Sequence, residues 1–182
     1  MRPLPVLGLV ALLSAGCSGS DAPATPTLPP YDAEAITQAA IKQLDKNGNS
    51  ALDGADKQLT ADELRDRFGR YAGVGSGAVS VTCVVTLDDK PLAGATVRFE
   101  PEPFMGAALK PAEGTTSPEG RAPMKSDGTS AYGVVPGVYR ITVTHAGKAI
   151  PAKYGTKTIF GREVFEGGRS SSGSIDLRLK SG

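Results

Sequence analysis

Six residues in one short stretch offer oxygen donors at the spacing a hard cation requires. Asp45, Asn47 and Asn49 alternate through Asp45-Lys46-Asn47-Gly48-Asn49-Ser50; Ala51 follows with a backbone carbonyl, and Asp53 and Asp56 complete the run. Calcium takes about six to eight oxygens, so its ligands come from a tightly turning segment that mixes carboxylates, amides and carbonyls. The same residue types suit a plain polar turn, because Asn, Asp and Gly bond to nearby backbone and tolerate left-handed conformations. Other chemistry-bearing residues are sparse. The 182 residues include one histidine and two cysteines, which excludes zinc or iron sites built on two imidazoles, four-thiolate sites and a disulfide scaffold. No Gly-x-Ser-x-Gly nucleophile elbow occurs. Gly73, Gly75 and Gly77 lack the pattern and the lysine of a phosphate-cradling loop. Cys83 is in phase with Val79, Val81, Val85 and Leu87 and reads as a small core hydrophobe. His145 continues the phase of Val143 at a strand end and reads as a rim histidine with a local hydrogen bond. Glu100 and Glu102 imitate a glycosidase pair, but they stand beside Pro101 and Pro103 in an expected loop, with no sign of a cleft.

The N-terminus bears on location. Residues 1–16 read MRPLPVLGLVALLSAG, with Arg2 as their charge. The apolar stretch Leu4–Leu13 has the length of a signal-peptide core and is too short to span a bilayer. Leu13-Ser14-Ala15-Gly16-Cys17 resembles the lipobox of bacterial lipoproteins. That resemblance implies cleavage before Cys17, acylation of its sulfur, and anchoring of the chain to a membrane through the lipid, held firmly by two or more acyl chains. An ordinary secretory signal with an incidental cysteine is the alternative. Ser18, with no aspartate there, points to the outer membrane or cell surface rather than the inner membrane. With Arg2 removed, the 20 basic and 19 acidic side chains balance, which argues against a nucleic-acid partner held by phosphate contacts.

The elements that must position the oxygen donors can be read on either side of them. Residues 17–30, the lipidated cysteine and a Pro-rich tether, are too polar and too rich in proline to build a core, and are expected to be disordered. Asp32 is a plausible N-cap, and Ile36, Ala40 and Leu44, with Ile41 beside them, predict an amphipathic helix. Thr60-Ala61-Asp62-Glu63 is a capping box for a second helix that places Leu64, Phe68 and Tyr71 on one face. The helix–loop–helix of residues 31–71 therefore encloses residues 45–56, and this loop resembles an EF-hand calcium loop. The resemblance puts Asp45, Asn47 and Asn49 at positions one, three and five, the Ala51 carbonyl at seven, Leu52 at eight, Asp53 at nine and Asp56 at twelve. It implies calcium as cofactor, bound weakly, at about 10⁻⁴ to 10⁻³ M. Three departures stand out: Ser50 replaces the turn glycine, Asp56 the longer glutamate, and Lys57 an apolar residue. Gln58–Leu64 looks like the tail of another such loop, as if two hands were fused, so Glu63 is either a further ligand or the capping-box partner.

Residues 72–77, Ala-Gly-Val-Gly-Ser-Gly, read as a linker that uncouples this segment from residues 78–182. In the latter, Val79–Leu87, Ala95–Phe99, Tyr139–Val143 and Ile175–Leu179 alternate apolar with polar, punctuated by Asp88-Asp89-Lys90-Pro91, Ser117-Pro118-Glu119-Gly120 and Pro136-Gly137. Short alternating strands with turn signals predict a β-sandwich. Pro91-Leu92-Ala93-Gly94-Ala95-Thr96-Val97, Gly120-Arg121-Ala122 and Pro136-Gly137-Val138-Tyr139-Arg140-Ile141-Thr142-Val143 resemble the carboxypeptidase regulatory-like domain. The resemblance implies an immunoglobulin- or transthyretin-like sandwich with no catalytic machinery of its own. The fold expected is thus mainly β, with the sandwich behind a short helical segment and a lipidated N-terminus. The loops 100–116 and 145–171 are long; Phe104, Met105, Tyr154 and Phe160 either tuck them down or form binding surfaces. The expected function is a non-catalytic envelope lipoprotein whose partner is an envelope protein or polysaccharide. The alternatives are an enzyme or accessory subunit acting on envelope glycans or peptides, and a purely structural spacer.

Overall fold

A computed structural model describes residues 28–53, 58–73, 77–165 and 173–182. The signal segment 1–16, Cys17, most of the tether, Asp56 and the linker residues 74–76 lie outside the described residues. Helix α1 spans Ala33–Leu44, and Asp32 caps it by accepting the Ala35 N–H at 3.0 Å, which satisfies a donor that every helix start leaves orphaned. Ile36, Thr37 and Ala40 are buried, whereas Leu44 is 41% exposed. Leu44 has the angular position expected of it, but the last turn overhangs the surface on which α1 packs. A short hairpin follows, β1 (Ala51–Asp53) against β2 (Gln58–Thr60), with Ala51 facing Thr60 and Leu52 facing Leu59. Thr60 and Glu63 form the reciprocal capping box that opens α2, Ala61–Gly69, and a 3-10 turn, Arg70–Gly73, extends it.

The remaining strands are β3 (Thr82–Leu87), β4 (Lys90–Pro91), β5 (Ala95–Pro101), β6 (Ala112–Thr115), β7 (Arg121–Pro123), β8 (Lys125–Ser126), β9 (Gly137–His145), β10 (Phe160–Val164) and β11 (Ser174–Leu179). One sheet has the order β10-β9-β5-β6-β8 and is antiparallel throughout. In the other, β3 is flanked by β11 in parallel on one side, and by β7 and then β4 on the other. The protein is therefore mainly β, a sandwich with a helical segment before it, as the alternation predicts. Cys83, Val85, Ile175, Leu177 and Leu179 of one sheet face Ala95, Val97, Phe99, Tyr139, Ile141 and Val143 of the other, and all are buried. Turn chemistry sets the corners. Asp88 and Asp89 take φ of 50° and 65°, the two left-handed residues that a twist-matched hairpin needs. Gly120 has φ of 76°, and a Cβ there would stand 2.5 Å from the Val85 carbonyl oxygen, so only glycine lets this corner reach β3.

The helical segment does not stand apart from the sandwich, as a linker at 72–77 leads one to expect. Ile36, Ala40, Leu64, Phe68 and Tyr71 belong to the same buried cluster as the strands. The Phe68 ring lies 6.1 Å from Phe104, and Tyr71 lies 5.8 Å from Phe165. Tyr31 donates its hydroxyl to the Pro136 carbonyl. Leu28 and Pro29 are half-buried, so the packed body begins inside the stretch read as tether. Phe104, Met105 and Tyr154 are buried and Phe160 is half-buried; these residues seat their loops on the core.

Candidate metal centre

The loop after α1 is wound around Asp45. Its Oδ1 accepts the N–H groups of Asn47 at 3.1 Å and Gly48 at 2.8 Å, and its Oδ2 accepts that of Ser50 at 2.8 Å. Asn47 Oδ1 accepts the Asn49 N–H at 3.2 Å, and Asn49 Oδ1 accepts the Ala51 N–H at 3.1 Å. Each donor side chain is thus turned inward by the backbone two residues on, the local bond that Asn and Asp form most readily. Gly48 and Ser50 carry the turn at φ of 75° and 59°. Ser50 therefore holds the left-handed conformation that favours glycine, although it has a side chain. Desolvation opposes the Asp45 charge, but the N–H groups of Gly48, Ser50, Asn47 and Asn49 outweigh it and hold the carboxyl below its ordinary value. The loop is already wound around a carboxylate that stays charged. An amide oxygen has about two acceptor sites, so the one bond above from the Ala51 N–H does not saturate Asn49 Oδ1. Asp45, Asn47, Asn49 and the Ala51 carbonyl are the oxygen donors that this turn carries.

Not every expected ligand is brought to this place. Asp56 and the Asp53 side chain lie outside the described residues; the backbone of Asp53 pairs with Gln58 in the hairpin. Glu63 is placed in the capping box: its carboxylate accepts from the Thr60 N–H at 3.0 Å and from the Thr60 hydroxyl at 3.1 Å. The register of the hairpin brings Leu52, at position eight, opposite Leu59. Among the described residues, no three His, Cys, Asp or Glu side chains gather as a metal-holding group.

The other candidate groups are held in structural contacts. Cys83 is buried, and desolvation pushes its thiol up to about 12. His145 Nδ1 accepts the Gly147 N–H at 2.9 Å, so Nε2 carries the proton and donates it to the Ala93 carbonyl at 3.0 Å. Glu100 is bound by Arg98, which also reaches Glu113 at 3.1 Å and Asp127 at 3.3 Å. Glu102 faces Arg140 at 3.5 Å.

One cluster escaped the sequence reading. Glu163 on β10 accepts Arg67 Nε at 2.8 Å and the Tyr71 hydroxyl at 2.7 Å, which ties α2 to the sandwich. Burial opposes its charge, but the bonds from Arg67 and Tyr71 prevail and its carboxyl sits below its ordinary value. Burial first, then the negative neighbour Glu163, pushes the Tyr71 phenol up. The sequence signal was faint: Glu163 is a charge on an otherwise ordinary strand.

No family model matches the chain, and no curated protein matches it. Among solved structures, the TIE protein of Bacillus anthracis is similar over 58% of this chain and 17% of its own, at 17% identity and a TM-score of 0.36. The matched part is thus a small fraction of that protein's length. Among the described residues, no helix is long and apolar enough to cross a membrane.

Proposed function

We propose that the chain is a non-catalytic lipoprotein of the cell envelope. It is anchored through Cys17, binds calcium weakly in the loop after α1, and presents its sandwich as an interaction module of the carboxypeptidase regulatory-like kind. The observation that carries the calcium reading is the collection of three backbone N–H groups by the Asp45 carboxylate. A cation entering there meets oxygens already turned inward, so little ordering remains to be done on binding. Asp45, Asn47, Asn49 and the Ala51 carbonyl would hold the ion, with Asp53 and Asp56 as the resemblance assigns them. The non-catalytic reading is supported by the occupation of Cys83, His145, Glu100 and Glu102 in packing, backbone bonds and ion pairs.

Calorimetry with calcium on residues 17–182, made without the acyl group, tests the loop. Saturable binding at about 10⁻⁴ to 10⁻³ M is expected, and Asp45→Ala should abolish it while circular dichroism stays unchanged. Absence of heat to several times that concentration overturns the calcium reading. For the anchor, Cys17→Ala should move the protein from the membrane to the soluble fraction or leave it uncleaved. Membrane retention equal to that of the unaltered chain overturns the lipoprotein reading.

A further inference from the structure

The two sheets end in strands of unequal exposure. β8 and β4 are two residues long, and Glu163 of β10 is taken by α2. β11 is six residues long, and among the described residues no strand pairs with its outer edge. The direction of its backbone groups follows from its bonds. Thr82 donates to the Gly173 carbonyl and Asp88 to the Leu179 carbonyl. In a parallel ladder this parity turns both main-chain groups of Ile175, Leu177 and Leu179 toward β3, and those of Ser174, Asp176 and Arg178 away from it. The Lys180 N–H, of the same outward parity, donates to the Tyr154 hydroxyl at 3.0 Å, which confirms the assignment and closes that end of the edge. Among the described residues, the main-chain groups of Asp176 and Arg178 thus have no strand partner, the template that natural sheets usually guard.

Charge is the usual guard, and here it is arranged to attract a copy of itself. We infer that two copies of this chain pair antiparallel along β11, on a two-fold axis through Leu177. In that register Asp176 lies opposite Arg178 of the second copy, and Arg178 opposite its Asp176. Both are outward-parity residues, so each pair exchanges both main-chain hydrogen bonds, as an antiparallel ladder requires. Ile175 falls opposite Leu179, and the ladder ends there at both sides, because the Tyr154 hydroxyl holds the Lys180 N–H. The side chains of Asp176 and Arg178 lie on one face, 3.7 Å apart and 58% and 76% exposed, so both can turn to the partner without disturbing the core. A parallel, in-register approach of the same edges forms no ladder, because it would need the main-chain groups of residues 175 and 177, which face β3. The pattern Ser-Ile-Asp-Leu-Arg-Leu-Lys is thus complementary to itself in one direction only. The result is a continuous sheet across two molecules and a self-complementary, closed interface. Because one strand edge buries little surface, the dimer is a weak and reversible one.

Sedimentation equilibrium on residues 17–182, made without the acyl group, in reducing buffer and across about 1 µM to 1 mM, reads the dissociation constant directly. A monomer–dimer equilibrium is expected. Asp176→Arg and Arg178→Asp should each weaken it about tenfold or more, since two symmetry-related pairs turn from attractive to repulsive. The double variant carrying both changes should restore it, because the exchanged charges are again complementary. Circular dichroism identical to that of the unaltered chain shows that each variant is folded. A monomer over the whole range overturns the inference. So does a dimer indifferent to the single reversals, which would use another surface, and so does a folded double variant that fails to recover.

Discussion

Ser50 is where the loop after α1 departs most from what its backbone asks for. It holds φ of 59°, and a side chain in that region costs roughly 1–2 kcal/mol relative to glycine. Its N–H is nonetheless bound by Asp45 at 2.8 Å, so the turn persists because the carboxylate fixes it. Ser50→Gly keeps that bond and removes the strain, partly offset by the greater freedom of glycine in the unfolded chain. Denaturant melts should show a gain of about 0.5–1 kcal/mol, and the calcium affinity should rise or stay equal. A loss of stability would mean that the Ser50 side chain makes a contact worth more than the strain. Neighbouring Asn47 and Asn49 show how far residue types alone reach. Their types and spacing suit the local bonds they make, each side-chain oxygen accepting the N–H two residues on.

At the scale of elements, the attachment of α2 to β10 combines two effects of different size. Phe68 is buried against Phe104, and truncating such a ring removes about 3–5 kcal/mol. The Arg67–Glu163 pair is partly exposed, at 41% and 24% of its side chains, and partial solvent screening limits it to about 1 kcal/mol. Packing therefore holds α2 in place, and the ion pair fixes its orientation and makes it sensitive to acid. The Glu163 carboxyl sits below its ordinary value of 4.5 in the folded chain. Its contribution is fully present above that value and is lost as pH falls through the lower, folded one. Stability should therefore drop on acidification below about pH 4.5, more steeply for the unaltered chain than for Glu163→Gln, which at neutral pH should already be about 1 kcal/mol less stable. Chemical denaturation at stepped pH checks both. Equal slopes would mean that the pair contributes nothing to folding.

For the molecule as a whole, strands with period-two alternation were legible in the sequence. Ala95-Thr96-Val97-Arg98-Phe99 and Tyr139-Arg140-Ile141-Thr142-Val143 became neighbouring strands with all their apolar members buried. Capping residues fixed both helix starts, since Asp32 and the Thr60–Glu63 box act within one turn of chain. What could not be read was long-range. Two- and three-residue strands such as β7 and β8 have no period to detect, and their place is set by β3 and β6. The docking of the helices depends on Tyr31 meeting Pro136 and on Arg67 meeting Glu163, about a hundred residues apart in each case. Glycines at 73, 75 and 77 suggested separation because flexibility is a local property, whereas the apolar faces of α1 and α2 still needed a surface to cover.

The parallel pairing of β3 with β11 has a consequence in time. The first long strand of the sandwich finds its parallel partner about ninety residues later, in the last of the described strands. Ile175, Leu177 and Leu179 arrive only then, and without them Cys83 and Val85 have one flank of their sheet open. A nascent chain thus cannot complete this sheet until residues 174–179 have emerged. For a polypeptide that must thread a translocation channel unfolded, as the proposed leader requires, that delay is an asset. Under that proposal β11 is a latch, open during passage and shut on the far side.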